Sequence, residues 1–260
     1  MDWTTPGLGL RIGGHRGAAG EAPENTFAGF ELAAAAGVDY IELDVQLAAD
    51  GVALVFHDEE LDRTTDGAGP FERHASAELL GLDAGGWFGS RFAGARIPTL
   101  DGLLAWLVER PGLGATIEAK GPGSGAVIAQ AIKNRARRPA GGAWSTCSFS
   151  ADELRAVARV EPSIPRMLIV DRDRPDADPL GLARNATASA VNVPVEWLTR
   201  SKVDRLHAAG LLVAGGTVDD EAGIGACLDL GIDLIDTNRP TIVVPARDRM
   251  RRRLSGSSRT

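Results

Sequence analysis

The amino-acid sequence predicts a (β/α)8 barrel, and three observations lead there. Short β-rich apolar runs alternate with alanine- and leucine-rich segments almost from end to end, which is the pattern of parallel strands joined by helices. The 260 residues, 44% of them apolar, suit one large domain rather than two. The strand-like run 52–56 follows Val45 too closely for a parallel crossover, which needs roughly a dozen residues. It therefore pairs antiparallel as a hairpin, and setting it aside leaves eight βα units in 260 residues. An open doubly wound sheet is the runner-up, but no GxGxxG turn follows the first strand.

The parallel strands are predicted at 10–15, 40–45, 115–120, 144–149, 166–170, 190–193, 211–218 and 232–237. Helices fall between them, among them 26–36, 100–109, 150–160 and 201–209. Asn25 precedes the first helical run and reads as its N-cap, while a substrate role for Glu24 or Asn25 is the lesser reading. Asp50-Gly51 is a hairpin signal that turns the second strand back toward His57-Asp58, with Asp58 read as a turn residue. Residues 59–98 stand outside the repeat as an insertion after the second strand, with one short helical stretch near 76–80. A segment of that length reads equally as a binding cap or as a surface insertion. His74 in it reads as a surface residue, and its aromatics Trp87, Phe88 and Phe92 as a small local core or a contact for a leaving group. His207, just before Gly210, reads as a structural residue at a helix C-terminus. The whole of 1–260 reads as one domain, ending in an exposed, flexible basic tail at 247–260.

Composition excludes several classes. No run approaches the ~20 apolar residues that span a bilayer. The N-terminus lacks a basic start followed by an apolar block, so no signal peptide is read. Cys147 and Cys227 sit in apolar contexts and read as two buried thiols, which suits a cytoplasmic protein. A net charge of −7 argues against nucleic acid as a partner. The expected partner is a small molecule, and oligomeric state is not legible.

The charged residues concentrate at predicted strand ends, where barrels carry their chemistry. His15 and Arg16 end the first strand. Glu42 and Asp44 lie two apart in the second, so they share a face opposite Ile41, Leu43 and Val45. The hairpin returns His57 beside them, and Glu118 and Lys120 end the third strand on one face. Side-by-side carboxylates on a buried face need a positive partner. Oxygen donors from Glu42, Asp44 and Glu118 suit a hard divalent cation, Mg²⁺ or Ca²⁺. The alternative is a buried ion pair of those acids with Arg16 or Lys120 and no metal. The cysteines are expected elsewhere, which disfavours a thiolate zinc site. A hard cation with Arg16 and Lys120 suits a phosphate, and two histidines suit acid and base work on opposite sides of phosphorus.

Gly-His-Arg-Gly at 14–17, the stretch APENTF…IELDVQLAADGVALVFHDEELDRTTDG at 22–67 and IEAK at 117–120 together resemble the glycerophosphodiester phosphodiesterase family. IPTL from Ile97, the strand end at Ser148-Phe149, VNVP from Val191 and the GIDLIDTNRP ending fall in the family's order. The resemblance implies a (β/α)8 barrel that hydrolyses glycerophosphodiesters to sn-glycerol 3-phosphate and an alcohol, with a Ca²⁺- or Mg²⁺-dependent site. Carried over by position, it implies His15 and His57 as the acid–base pair, Glu42, Asp44 and Glu118 as metal ligands, and Arg16 and Lys120 as phosphate contacts. It further implies attack by the glycerol 2-hydroxyl and a cyclic phosphate that water opens.

Two positions depart from the family's pattern. Gly216-Thr217-Val218 stands where Trp-Thr-Val is usual, which leaves room for a larger substrate or for Trp87, Phe88 or Trp197. Thr237-Asn238 stands where Thr-Asp is usual. The rival functions are a related phosphodiesterase or lyase acting on a larger phosphodiester or lysophospholipid, and a non-catalytic barrel that binds phosphorylated ligands.

Overall fold

The computed structural model describes residue 3, residues 5–135 and residues 144–257, with side chains described as far as residue 253. The strands are β1 (Arg11–Gly14), β2 (Tyr40–Leu47), β3 (Ala53–Val55), β4 (Gly114–Ala119), β5 (Trp144–Ser148), β6 (Arg166–Ile169), β7 (Ala190–Asn192), β8 (Leu212–Gly216) and β9 (Leu234–Thr237). The helices are α1 (Phe27–Ala36), α2 (Ser76–Leu79), α3 (Leu100–Val108), α4 (Ser124–Asn134), α5 (Ala151–Val160), α6 (Pro179–Asn185), α7 (Arg200–Ala208), α8 (Glu221–Leu230) and α9 (Pro240–Ser257). The strand order is β1-β9-β8-β7-β6-β5-β4-β2, and β1 also pairs with β2, so the parallel sheet closes on itself. That closure is the (β/α)8 barrel and excludes the open sheet. β3 pairs antiparallel with β2 as expected, matching Val45 to Val55 and Leu47 to Ala53. Gly51, at φ 78°, supplies the left-handed residue that this turn needs.

Local chemistry starts the helices where the chain leaves the sheet. The side chains of Thr26, Thr99, Ser150, Asp178, Thr199 and Asp220 each accept a hydrogen bond from a backbone N–H in the first turn of the next helix. Alternation along the strands then separates two cores. Outward residues such as Ile41, Leu43, Val45 and Ile117 are fully buried against the helices. Inward residues form a smaller apolar floor from Trp3, Tyr40, Cys147, Met167, Leu212 and Leu234, with Trp3 edge-on to Tyr40 at 5.3 Å between ring centroids.

The insertion at 59–98 carries its own core. Leu61, Phe71, Leu79, Ala84 and Ile97 pack on Leu54 and Phe56 of the hairpin, with Phe56 stacked on Phe71 at 5.0 Å. Trp87, Phe88 and Phe92 meet edge to face within it, and Arg63 lies over Trp87. His74 is partly exposed and pairs with Glu78.

The basic end differs from the expectation at its start. Arg247 does not begin an exposed tail. It lies within α9 with only 5% of its surface exposed and pairs with Asp39 and Asp248. A burial site with a carboxylate waiting on the β1–β2 side outweighs the solvation of one guanidinium. Residues 258–260 lie outside the described residues. Among the described residues no helix is long and apolar enough to cross a membrane.

Asp233 ties down the end of the barrel where β9 begins. Its carboxylate, 1% exposed, accepts from Gly7 N at 2.6 Å, Val213 N at 2.8 Å and His207 Nε2 at 2.8 Å. His207 is therefore structural, as its position before Gly210 suggested. Asp233→Ala strands the buried Val213 N–H and frees Gly7 and His207, and a buried unsatisfied donor costs about 1–3 kcal/mol. The expected result is a lower urea midpoint at unchanged m-value in equilibrium unfolding.

Candidate active site

The C-terminal rim of the barrel gathers the charged residues singled out in the sequence. His15 and Arg16 follow β1, and the His15 backbone N–H donates to Thr237 O at 2.9 Å. Glu42 and Asp44 point from β2 into the barrel, and strand register sets Asp44 beside Glu118 of β4. Lys120 follows Glu118, and its Nζ lies 3.0 Å from Glu118 Oε1 and 3.4 Å from Asp44 Oδ1. Phe56 N donates to Asp44 O at 3.0 Å, which brings His57 back over β2.

Two backbone positions in the loop after β1 adopt conformations that residues with side chains disfavour. Arg16 has φ 48° and Asn25 has φ 54°. Such residues persist where surrounding contacts over-determine them, often at functional sites. Here the contacts are specific. Arg16 N donates to Glu42 Oε2 at 3.0 Å, and Arg16 Nη1 donates to Glu24 Oε1 at 2.7 Å. Asn25 Nδ2 donates to Asp44 Oδ2 at 2.8 Å, and Asn25 Oδ1 accepts from Asp44 N at 3.3 Å.

The acids divide into compensated and uncompensated ones. Burial raises the Asp44 carboxyl, but Lys120 and Arg16 outweigh it and hold it below the usual range. Burial, and then Asp44, Asp236 and Glu118, push Glu42 well above the carboxylate range despite the backbone N–H and the charge of Arg16. Burial and Asp44 likewise push Glu118 up to about 7 despite Lys120. Asp236, on β9, is also raised by burial, and its Oδ1 has no hydrogen-bond partner. The buried-ion-pair alternative thus accounts for Asp44, which meets both Arg16 and Lys120, and leaves Glu42 and Glu118 short of positive charge.

That deficit is what a cation site requires, and of the three expected acids Glu42 and Glu118 stand within reach of one ion, while Asp44 is engaged by Arg16, Lys120 and Asn25 and does not belong to that cluster. Glu42, Glu118 and Cys147 bring ligand atoms within 4.8 Å of one another. Cys147 therefore does not lie elsewhere. It pairs in register with Glu118 and forms the floor beneath the carboxylates. Burial, with Glu118 and Glu42 adding to it, pushes its thiol well above the ordinary value, so it sits there as a neutral group. Both cysteines are free and buried.

The two histidines are held in matching ways. His57 Nδ1 lies 2.6 Å from Asp58 Oδ1, and His15 Nδ1 lies 2.7 Å from Asn238 Oδ1. Each partner can only accept, so each Nδ1 donates and each Nε2 is left for other work. Burial lowers the His57 pKa, with Asp44 and Asp58 opposing and Arg16 and Lys120 assisting. Asp58 in turn is held at about 2, chiefly by hydrogen bonds from Arg63. Arg63 Nε and Nη2 reach Asp58 at 2.6 and 2.8 Å, while its Nη1 and Nη2 reach Glu24 at 2.7 Å.

Four of these roles differ from the sequence reading. Asn25 is not the cap of α1, which is Thr26; its amide serves Asp44 instead. Asp58 is a partner of His57 rather than a turn feature. Glu24 and Arg63 link the β1 loop to the insertion. The adjacency of Asp58 to His57 was the available signal for Asp58, and strand parity was the signal for Cys147. Nothing local marked Arg63, whose partner Glu24 is 39 residues away.

A cavity of about 900 Å³ opens onto His57, Glu118 and Lys120 and is walled by Gln46, Pro122 and Phe149. A second cavity of about 390 Å³ between α6 and α7 is lined by Trp197 and shares none of these residues. The expected infill at Gly216 is not seen: the three atoms nearest to a Cβ built there all belong to Asp236. Trp87 and Phe88 remain with the insertion, as described above.

Comparison with known proteins agrees with this geometry. The family model described as the glycerophosphoryl diester phosphodiesterase family matches residues 15–242. A glycerophosphodiester phosphodiesterase of Bacillus subtilis is 31% identical over 247 residues, covering 88% of this chain and 83% of the relative. An Oleispira antarctica phosphodiesterase, solved in complex with the product sn-glycerol-3-phosphate, superposes with a TM-score of 0.83 at 29% identity over 92% of this chain and 96% of that one. The glycerophosphodiester phosphodiesterase of Agrobacterium tumefaciens does so at 0.77 and 34% identity, over 91% and 100%. A continuous match over nearly all of a closed barrel, at levels that show descent and not fold alone, establishes that this chain belongs to the glycerophosphoryl diester phosphodiesterase family of phosphoric diester hydrolases.

Proposed function

We propose that the protein hydrolyses glycerophosphodiesters to sn-glycerol 3-phosphate and an alcohol, with His15 and His57 as its acid–base pair. Glu42, Asp44 and Glu118 hold a divalent cation, Mg²⁺ or Ca²⁺, and Arg16 and Lys120 contact the phosphate. The observation that carries this reading is the pairing of two imidazoles, each tied through Nδ1, with two buried carboxylates that Arg16 and Lys120 compensate only in part. The product-bound phosphodiesterase among the structural relatives supports the substrate class. The free thiols and the absence of a membrane-spanning helix among the described residues are consistent with a cytoplasmic enzyme.

In this reading the substrate's glycerol 2-hydroxyl attacks phosphorus, and one histidine Nε2 takes its proton. The other imidazole, protonated, gives its proton to the departing alcohol oxygen as the P–O bond breaks. Water then opens the cyclic phosphate with the two proton transfers reversed. A bound cation polarises the phosphoryl oxygens and offsets the charge that builds on them. Arg16 and Lys120 both pair with Asp44, and in this reading their remaining N–H donors contact the phosphate oxygens.

His15→Ala and His57→Ala should each lower turnover by about 10²–10⁴-fold with the fold retained, since that is the range for acid–base catalysis. The assay is release of glycerol 3-phosphate from a panel of glycerophospho-alcohols. Wild-type rates in either variant would remove that histidine from the mechanism, and a wild type inert toward every diester in Mg²⁺ and in Ca²⁺ would remove the activity.

Chelation should abolish turnover, and added Mg²⁺ or Ca²⁺ should restore it and raise Tm. Glu118→Gln should shrink that Tm rise. The cation-free protein has a further signature. Glu118, buried beside Asp44, ionises near 7 when folded and near 4.5 as a free glutamate, so between those values the native state holds the extra proton. Its contribution to stability is full below pH 4.5 and is lost as pH rises toward 7. The wild type should therefore lose stability relative to Glu118→Gln across that window, a difference that saturating cation should remove. Parallel pH–stability curves for the two would contradict the assignment.

A further inference from the structure

We propose that Asn238, clamped by Asp219, is the positioning residue that fixes the tautomer and orientation of His15, and so makes Nε2 its working atom. The inference rests on His15 belonging to the acid–base pair, and it adds how that imidazole is set.

The argument is a chain of groups that can act in one direction only. Asp219, as a carboxylate, accepts and cannot donate. It takes Thr237 Oγ1 at 2.9 Å and Asn238 N at 2.7 Å on Oδ1, and Asn238 Nδ2 at 2.8 Å on Oδ2. The atom facing Asp219 must therefore be the amide nitrogen, which decides the orientation of the Asn238 amide. With its nitrogen committed, Asn238 turns its oxygen to His15, 2.7 Å from Nδ1. An amide oxygen only accepts, so Nδ1 carries the hydrogen and neutral His15 presents a bare Nε2.

The backbone holds the same geometry. His15 N donates to Thr237 O at 2.9 Å, and Gly20 N donates to Asn238 O at 2.9 Å. A Cβ at Gly20 would come within 3.0 Å of that carbonyl, so the loop after β1 closes directly onto residue 238. The two imidazoles are thus oriented by chemically different partners. His57 has the carboxylate Asp58, itself held by Arg63. His15 has a neutral amide, which orients the ring without placing a full negative charge against it.

The test is long-range ¹H–¹⁵N NMR of the labelled full chain without substrate, read beside steady-state kinetics on a glycerophosphodiester. The chain has 4 histidines, and His15→Ala identifies the relevant signals by their loss. The wild type should show His15 protonated at Nδ1. Asn238→Ala should give a mixture of tautomers and lower kcat by about 10–100-fold, the usual cost of losing an outer partner of a working histidine, with KM little changed. Asp219→Asn, which lets the amide at 238 turn round, should mix the tautomers too and provides the same readout should Asn238→Ala fail to fold. An Nε2-protonated wild type overturns the proposal, as does a variant that loses kcat while keeping the wild-type tautomer. A locked tautomer in a protein inert toward all diesters would instead overturn the function proposed above and leave the positioning role standing.

Discussion

Charge balance inside a closed barrel is the constraint on which this structure depends. Glu42, Asp44, Glu118 and Asp236 all project inward near one rim, each with less than a tenth of its surface exposed. Carboxylates do not ionise together in such a place without positive partners. Arg16 and Lys120 satisfy Asp44 and part of Glu118, and then stop. The remaining deficit is one that a divalent cation among these acids would offset. Much of the surrounding architecture holds these few groups in place: the left-handed turns at Arg16 and Asn25, the amide of Asn25 on Asp44, and the neutral thiol beneath.

The insertion has a defined part in that arrangement. It packs a core of its own against the hairpin and uses this rigidity to present Arg63. One guanidinium then clasps Asp58 and Glu24 together, bidentate to each. Planar, pre-organised donors suit this task in a way that an ammonium would not. The segment outside the repeat thereby orients His57 and anchors the loop that carries Arg16.

The barrel and the seven charged candidates were legible because period and position carry them. Glu42 and Asp44 share a face by alternation, Glu118 and Lys120 do the same, and the short link after Val45 admits only a hairpin. What was not legible depends on contacts between distant parts of the chain. Asn25 and Thr26 are both good capping residues, and the choice turns on Asp44, which Asn25 reaches across 19 residues. Arg247 reads as part of a basic tail until Asp39, 208 residues earlier, is found beside it. Cys147 was within reach of sequence reasoning, because it sits in a strand whose parity, referred to Glu118, points it inward.

One of the two imidazoles stands apart in how the chain delivers it. His15 follows a parallel strand directly, whereas His57 lies two residues beyond β3, which matches β2 residue for residue from Val45–Val55 to Leu47–Ala53. Side chains along such a ladder change sides at every step, so a slip of β3 against β2 by one residue would turn the chain that leads to His57 onto the other face. A slip of one residue in this ladder would thus cost the site one imidazole, a vulnerability that the helical connections elsewhere in the barrel do not share.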